Sequence, residues 1–408
     1  MWLNSSETNG DWLAADDLKD QDGEVTERGS RKYIKAFLSE CMTTNNLLVL
    51  CGLGTSLSIN GDAIERGLPT APTMGNLWAA VRERDQRVFE RVLQVVRYRT
   101  EELGENIEEL LSRCKLATDF LPGDHEDTAT VKDFVVDAES VIVANCGFVS
   151  AQTELTDHEL FLTRIARRSS RKPRTRIFTT NYDQCFEEAA RRRRFYIVDG
   201  FSPSIPATYD PGNFAYDVVR RERTKDTPDY IENVFHLLKV HGSINWTKEN
   251  NETVKKDGVT RPLLIYPRSS KYEQAFEPPY LDMMAAFQLG LRQPDTALII
   301  VGFGFNDDHL AKPILSALQA NLSLRVLVCD PAFFDDREDH RFPSEVPANV
   351  YHKKILGLIR AGDPRVALLR GYFRNFVQEL PDLTAENERE RHAERFRRMA
   401  EYEEGGRG

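Results

Sequence analysis

The sequence predicts an α/β fold: a doubly wound parallel sheet carrying a helical insertion and no zinc module. Three observations predict it. Short apolar runs alternate with stretches of helical period, the pattern of a parallel sheet with crossover helices. Each run stops at a glycine-rich or polar turn. The six cysteines form no C-x-x-C pair, and none stands near a histidine at zinc-binding spacing.

In chain order, residues 1–30 form a polar, acidic leader with apolar islands at Trp2 and Leu3 and at Trp12 and Leu13. The composition predicts a mobile segment, or an arm whose tryptophans dock on a neighbouring subunit. Residues 31–380 form the main domain. They open with a helix over 31–44 and an apolar strand over 47–51 that runs into Gly52-Leu53-Gly54-Thr55-Ser56. A helical insertion fills about residues 80–172, broken at LPGDHEDT over 121–128. The strand pattern returns at 175–179 and ends in Thr180-Asn181-Tyr182-Asp183. Residues 199–231, rich in Pro, Asp and Gly, read as a long excursion. Further strands cover 234–240, ending at His241-Gly242-Ser243, and 263–266. A helix over 278–292 leads to a strand at 296–301 and the turn Gly302-Phe303-Gly304-Phe305. A helix over 307–319 leads to a strand at 324–329 and Asp330. An amphipathic helix is expected over 363–380. Residues 381–408 read as a charged helical tail with Thr384 as its N-cap.

Composition narrows the function. The formal net charge of −10 argues against a chain that coats nucleic acid or an anionic membrane. The basic run RIARRSSRKPRTR over 164–176 reads as a helix end and linker, with cations favoured near a helix C-terminus. The first residues lack the basic and apolar regions of a signal peptide, and no apolar run is long enough to span a membrane. Cysteines set in apolar runs, such as Cys51 and Cys329, read as buried free thiols. They suit a reducing compartment, and the expected location is the cytoplasm.

In a parallel sheet, ligands bind beyond the carboxyl ends of the strands. Five strand ends here carry the chemistry-bearing residues: GLGTS, TNYD, HGS, GFGFND and CD. Glycines at the first turn permit close approach of backbone to a pyrophosphate. Leu57 stands where a full G-x-G-x-x-G motif would have its third glycine. Asp307 and Asp308 fit a helix N-terminus better than a metal site.

Taken together and in this order, the five strand ends resemble the sirtuin (SIR2) family over about residues 47–330. GLGTS matches its G-A-G-x-S loop, Gly67-Leu68-Pro69 its G-I-P, TNYD its T-Q-N-x-D, and HGS its H-G-S. GFGFNDDHL resembles the late glycine turn of bacterial SIR2-like proteins. The resemblance implies a Rossmann-like NAD-binding domain with Asn181 and His241 as catalytic residues. It implies cofactor contacts from Gly52, Gly54, Thr55, Ser56, Thr180, Asp183, Gly242, Ser243, Gly302, Gly304, Asp307 and Asp330. Asn181 would orient a water or the ribose hydroxyls, and His241 would serve as general base, since histidine titrates near neutrality.

Two departures bear on activity. The paired cysteines of zinc-bearing sirtuins are missing, with only Cys329 beyond His241, and Thr70-Ala71-Pro72 replaces the D-F-R that often follows G-I-P. The chain therefore resembles the SIR2-like effectors of antiphage defence. That implies an NAD⁺ glycohydrolase using NAD⁺ as substrate and no metal. The alternatives are an NAD-dependent protein deacylase and a non-catalytic NAD or ADP-ribose sensor. The layout is similar to the SIR2 subunit of SIR2–HerA (Nezha) systems. It implies a homo-oligomer that pairs with a HerA-like hexameric ATPase, without direct nucleic-acid or membrane binding.

Overall fold

The computed structural model describes residues 1–19, 24–121, 126–166, 168–169, 172–221, 229–266, 277–333, 349–383 and 396. Its centre is a nine-stranded sheet. In chain order the strands are β1 (Trp2–Ser5), β2 (Leu13–Ala14), β3 (Asn46–Cys51), β4 (Arg176–Thr179) and β5 (Tyr196–Val198). They continue as β6 (Val234–Lys239), β7 (Thr296–Val301), β8 (Arg325–Cys329) and β9 (Val366–Arg370). Across the sheet the order is β2-β1-β9-β8-β7-β3-β4-β6-β5. The seven strands from β9 to β5 are parallel, and β1 and β2 add an antiparallel edge.

Both faces of this sheet are covered, so its strands are apolar at successive positions rather than at alternate ones. The two-residue period still sorts them. Leu47, Val49 and Cys51 pack into one apolar cluster, while Leu48 and Leu50 enter the other. The helices of seven or more residues are α1 (Arg31–Thr43), α2 (Met74–Arg84), α3 (Gln86–Val95), α4 (Ile107–Phe120), α5 (Glu126–Cys146) and α6 (Thr156–Ile165). After these come α7 (Cys185–Arg193), α8 (Tyr280–Arg292), α9 (Asp308–Ala320), α10 (Val350–Arg360) and α11 (Phe373–Glu379). Buried residues of α1, α6, α7 and α11 cover the first face, and those of α8, α9 and α10 the second.

Helices α2 to α5 form a lobe with its own core, built from residues such as Trp78, Phe89, Leu110, Leu111, Phe134 and Ile142. Its cluster extends to Tyr182, Ile244 and Tyr266, so the lobe packs on the carboxyl-end side of the sheet. The helical insertion expected over about 80–172 is thus present, but its last helix, α6, belongs to the sheet's cover. Phe161, Leu162 and Ile165 lie in the first-face cluster.

Two local expectations differ from the structure. Among the described residues the leader is held by its own chain: Trp2 to Ser5 pair with Arg370 to Ala367, and Trp12 packs against Phe333 at 5.4 Å between ring centroids. Main-chain pairing to an otherwise open sheet edge orders it, a force that composition does not register. The single helix expected over 363–380 is β9 followed by the short α11. All five residues of VALLR are buried, and a short continuous apolar run does not reveal its period. Helix α10 was not anticipated. In the tail, residues 384–395 and 397–408, with the expected cap Thr384, lie outside the described residues.

Three cations of the basic run, Arg164, Arg168 and Lys172, bind within the fold. Arg164 donates to the carbonyls of Val377 (2.9 Å) and Leu380 (2.7 Å) at the end of α11. Arg168 and Lys172 reach the carbonyls of Thr44 and Thr43 at the end of α1. The cations therefore complement helix C-termini, though of neighbouring helices rather than their own.

Candidate active site

The chain leaves β3 in one direction across the sheet, toward β4 and β6, and returns to the other side of β3 with β7 and β8. The turns after β3 and β7 therefore diverge at a topological switch point, where open α/β sheets bind ligands. A cavity of about 280 Å³ lies there. The turns after β3, β4, β6 and β7 line one side, through Leu53, Thr180 to Asp183, His241, and Gly302 to Gly304 with Asn306 and Asp307. The helical lobe and the segment leading into it line the other, through Ala71, Pro72, Met74, Leu77, Asn106, Glu108 and Cys146.

The glycine turns after β3 and β7 touch directly. Gly52 N donates to Val301 O at 3.1 Å, and Gly54 N donates to Gly302 O at 3.0 Å. A Cβ on Gly54 would fall 2.6 Å from Gly302 Cα. Gly302 adopts φ +62°, where a side chain is strained. In the structure these glycines allow two backbones to meet, a reason the sequence alone did not show for Gly54.

Asn181 is tied to the first of these turns. Its Nδ2 donates to Gly52 O at 3.0 Å, and lies 2.8 Å from Ser56 Oγ and 3.2 Å from Thr55 Oγ1. A carbonyl oxygen accepts only from the amide nitrogen, so these contacts orient the side chain and leave Oδ1 as its remaining acceptor. Ser56 Oγ in turn donates a hydrogen bond to Asp183 Oδ2 at 2.7 Å, and Asp183 Oδ1 accepts from Cys185 N at 3.0 Å at the start of α7. One network thus joins GLGTS to TNYD.

His241 faces Asp307. Nε2 and Oδ2 are 2.9 Å apart, and both side chains are nearly buried. Burial pulls the histidine pKa down, but the hydrogen bond and charge of Asp307, with the field of Glu108, outweigh it and the net shift is upward. Burial pushes the Asp307 carboxyl up, and the His241 contact together with the His309 N–H overcomes that, holding it below the usual carboxylate value. Asp307 also caps α9, accepting from His309 N at 2.8 Å. The helix-cap reading of Asp307 stands, and the same carboxylate orients the histidine.

Several residues of the site escaped the sequence. Glu108 of α4 accepts a hydrogen bond from Tyr182 at 2.7 Å. Lys239, buried in β6, donates to the carbonyls of Tyr182 and Asp183 and to Glu187 at 2.9 Å, bracing the turn that carries Asn181. No local pattern marks Glu108. Lys239 carried a signal, a lysine inside an apolar strand, whose partners only the fold supplies.

Seven of the site residues chosen from the sequence do not line the cavity: Gly52, Gly54, Thr55 and Ser56 of the first turn, and Gly242, Ser243 and Asp330. Gly242, at φ +84°, lets the chain pass Leu263, whose carbonyl oxygen a Cβ would meet at 2.1 Å. Ser243 donates to Tyr182 O at 3.3 Å from full burial. Asp330 follows β8, buried, accepting from Ala332 N at 2.7 Å, and burial raises its pKa to about 6.

All six cysteines are free and buried, as expected. Cys146 borders the cavity, but burial pushes its thiol to about 12, so it is no nucleophile at neutral pH. Among the described residues, no group of three or more His, Cys, Asp or Glu side chains is placed to hold a metal ion. No helix there is long and apolar enough to cross a membrane.

No curated protein matches the chain in sequence. Among solved structures, a mutant Sir2 homologue in complex with ADP-ribose aligns at 15% identity and a TM-score of 0.40. The alignment covers 85% of this chain and 95% of that one. Residues 175–342, from the strand before Asn181 through Asp330, match the family described as the SIR2-like domain.

Proposed function

We propose that the chain is an NAD⁺ glycohydrolase, converting NAD⁺ and water to nicotinamide, ADP-ribose and a proton. The observation that carries this reading is the convergence of Asn181, held on the glycine turn, and the His241–Asp307 pair on one cavity at the switch point. The glycosidic bond to nicotinamide ends in a cationic leaving group. It breaks when its electron pair moves onto the ring nitrogen, leaving positive charge on the ribose C1′. An enzyme for this step needs to position the ribose, stabilise that charge and admit one water. Asn181 Oδ1 orients a ribose hydroxyl or the water. Neutral His241 takes the proton of the attacking water, and Asp307 stabilises the imidazolium that forms.

In this reading the activity is gated by self-assembly and by a HerA-like hexameric ATPase in the cytoplasm, as an antiphage defence effector. That part rests on the sequence resemblance. The test is to incubate the purified chain with NAD⁺, alone and with lysate from phage-infected cells, and to measure nicotinamide. Asn181→Ala and His241→Ala should each abolish its release, with circular dichroism unchanged. A variant that keeps most of the wild-type rate removes that residue from the mechanism. Release that appears only with an acylated peptide present would replace hydrolysis with deacylation.

A further inference from the structure

We propose, building on the glycohydrolase reading, that Glu108 of the helical lobe determines specificity by selecting the cationic pyridinium ring over its neutral counterparts. The cavity takes one wall from the sheet's turns and the other from the lobe. Among the described residues, no lysine or arginine lines it, whereas Glu108, Asp183 and Asp307 do. Two of these carboxylates are engaged by the sheet's own turns: Asp183 by Ser56 and Cys185, Asp307 by His241 and His309. Glu108 comes from the lobe instead, meets the sheet's turns through the buried Tyr182 hydroxyl at 2.7 Å, and its field reaches His241. A carboxylate so placed favours a cation between the walls.

The charge balance of the reaction gives this preference a consequence. Before cleavage the ring is positive and Glu108 attracts it. When the C1′–N bond breaks, its electron pair stays with the ring nitrogen, the ring becomes neutral and that attraction ends. The water oxygen then bonds to C1′ and its proton passes to His241. Glu108 therefore holds substrate and releases nicotinamide. It also rejects NADH, whose dihydropyridine ring is uncharged. Because the attraction is present before the transition state is reached, losing it should raise KM more than it lowers kcat.

The test compares binding of carbocyclic NAD⁺, a cation that resists hydrolysis, with binding of NADH by calorimetry. The wild-type chain should prefer the cation by on the order of tenfold. Glu108→Gln keeps an acceptor for Tyr182 but loses the charge, so the ratio should fall toward one. Tyr182→Phe keeps the charge and removes the hydrogen bond, so most of the preference should remain. A wild-type chain without preference, or a Glu108→Gln variant with the wild-type ratio, overturns the proposal. Equal loss in both variants also overturns it, because the effect is then structural. A wild-type chain that releases no nicotinamide, either alone or with lysate from phage-infected cells, would instead refute the glycohydrolase reading, which the binding ratio does not measure.

Discussion

Nε2 of His241 lies 2.9 Å from Oδ2 of Asp307, joining the end of β6 to the first turn of α9 across the mouth of the sheet. Asp307 overcomes the effect of burial on the ring and raises its pKa above the ordinary 6.5. A general base works in its neutral form, so kcat/KM for NAD⁺ should climb with pH through that raised value. Asp307→Asn keeps a residue that caps helices as well as aspartate does. It removes the upward pull and leaves the burial, so the acid limb should move to lower pH. The maximal rate should fall by roughly ten- to a hundredfold as the ring loses its orientation. A pH–rate profile from about pH 5 to 9 checks both effects; an unmoved midpoint would mean that His241 is not the titrating base.

The same pair predicts a stability window. The raised histidine pKa contributes stability that is complete below 6.5 and is lost as pH rises through the folded value. The lowered aspartate pKa contributes stability present above 3.8 and lost as pH falls through its folded value. The pair should therefore stabilise the fold most between these limits. Melting temperatures across pH for wild type and Asp307→Asn should converge outside the window; parallel curves would count against the linkage.

Lys239→Met should cost about 3 kcal/mol or more, because it strands the Glu187 carboxylate and two turn carbonyls beneath the site. Urea denaturation gives the loss directly. Turnover should fall as well, since the carbonyls belong to the turn that carries Asn181. A variant of wild-type stability would show that the lysine is dispensable there.

Gly302→Ala should lower stability and ligand affinity together. The residue sits at φ +62°, and the new Cβ would lie 2.7 Å from Gly54 Cα. Strain of this kind costs about 1–3 kcal/mol. Gly54→Val acts from the other side of the same contact and should resemble it. Melting temperature and calorimetry with carbocyclic NAD⁺ would separate the two effects. Normal affinity in a destabilised Gly54→Val chain would mean that the two turns need not touch to bind the dinucleotide.

The parallel sheet was legible because its strands are short apolar runs ended by turn residues, as with residues 47–51 before Gly52 and 296–301 before Gly302. Asn181, His241 and the glycine turns were legible for the same reason: each follows a strand, and strand ends converge in this architecture. The leader and the last strand were not. Both depend on pairing between Trp2 and Arg370, partners at opposite ends of the sequence. Glu108 was hidden in a helix whose surface charges look alike until the lobe docks, and Asp307 had a sufficient local explanation as a cap.

The pairing of β1 with β9 has a consequence for how the protein is made. Trp2 to Ser5 leave the ribosome before every other strand of the sheet, yet their partners, Ala367 to Arg370, belong to the strand of the sheet that is made last. During most of translation the first strand has no edge to join, and the parallel strands must assemble without it. Its docking is therefore a late event that closes the exposed rim of β9, the kind of rim on which nascent chains stick to one another. A chain stalled before residue 366 would keep both surfaces open and rely on chaperones until released.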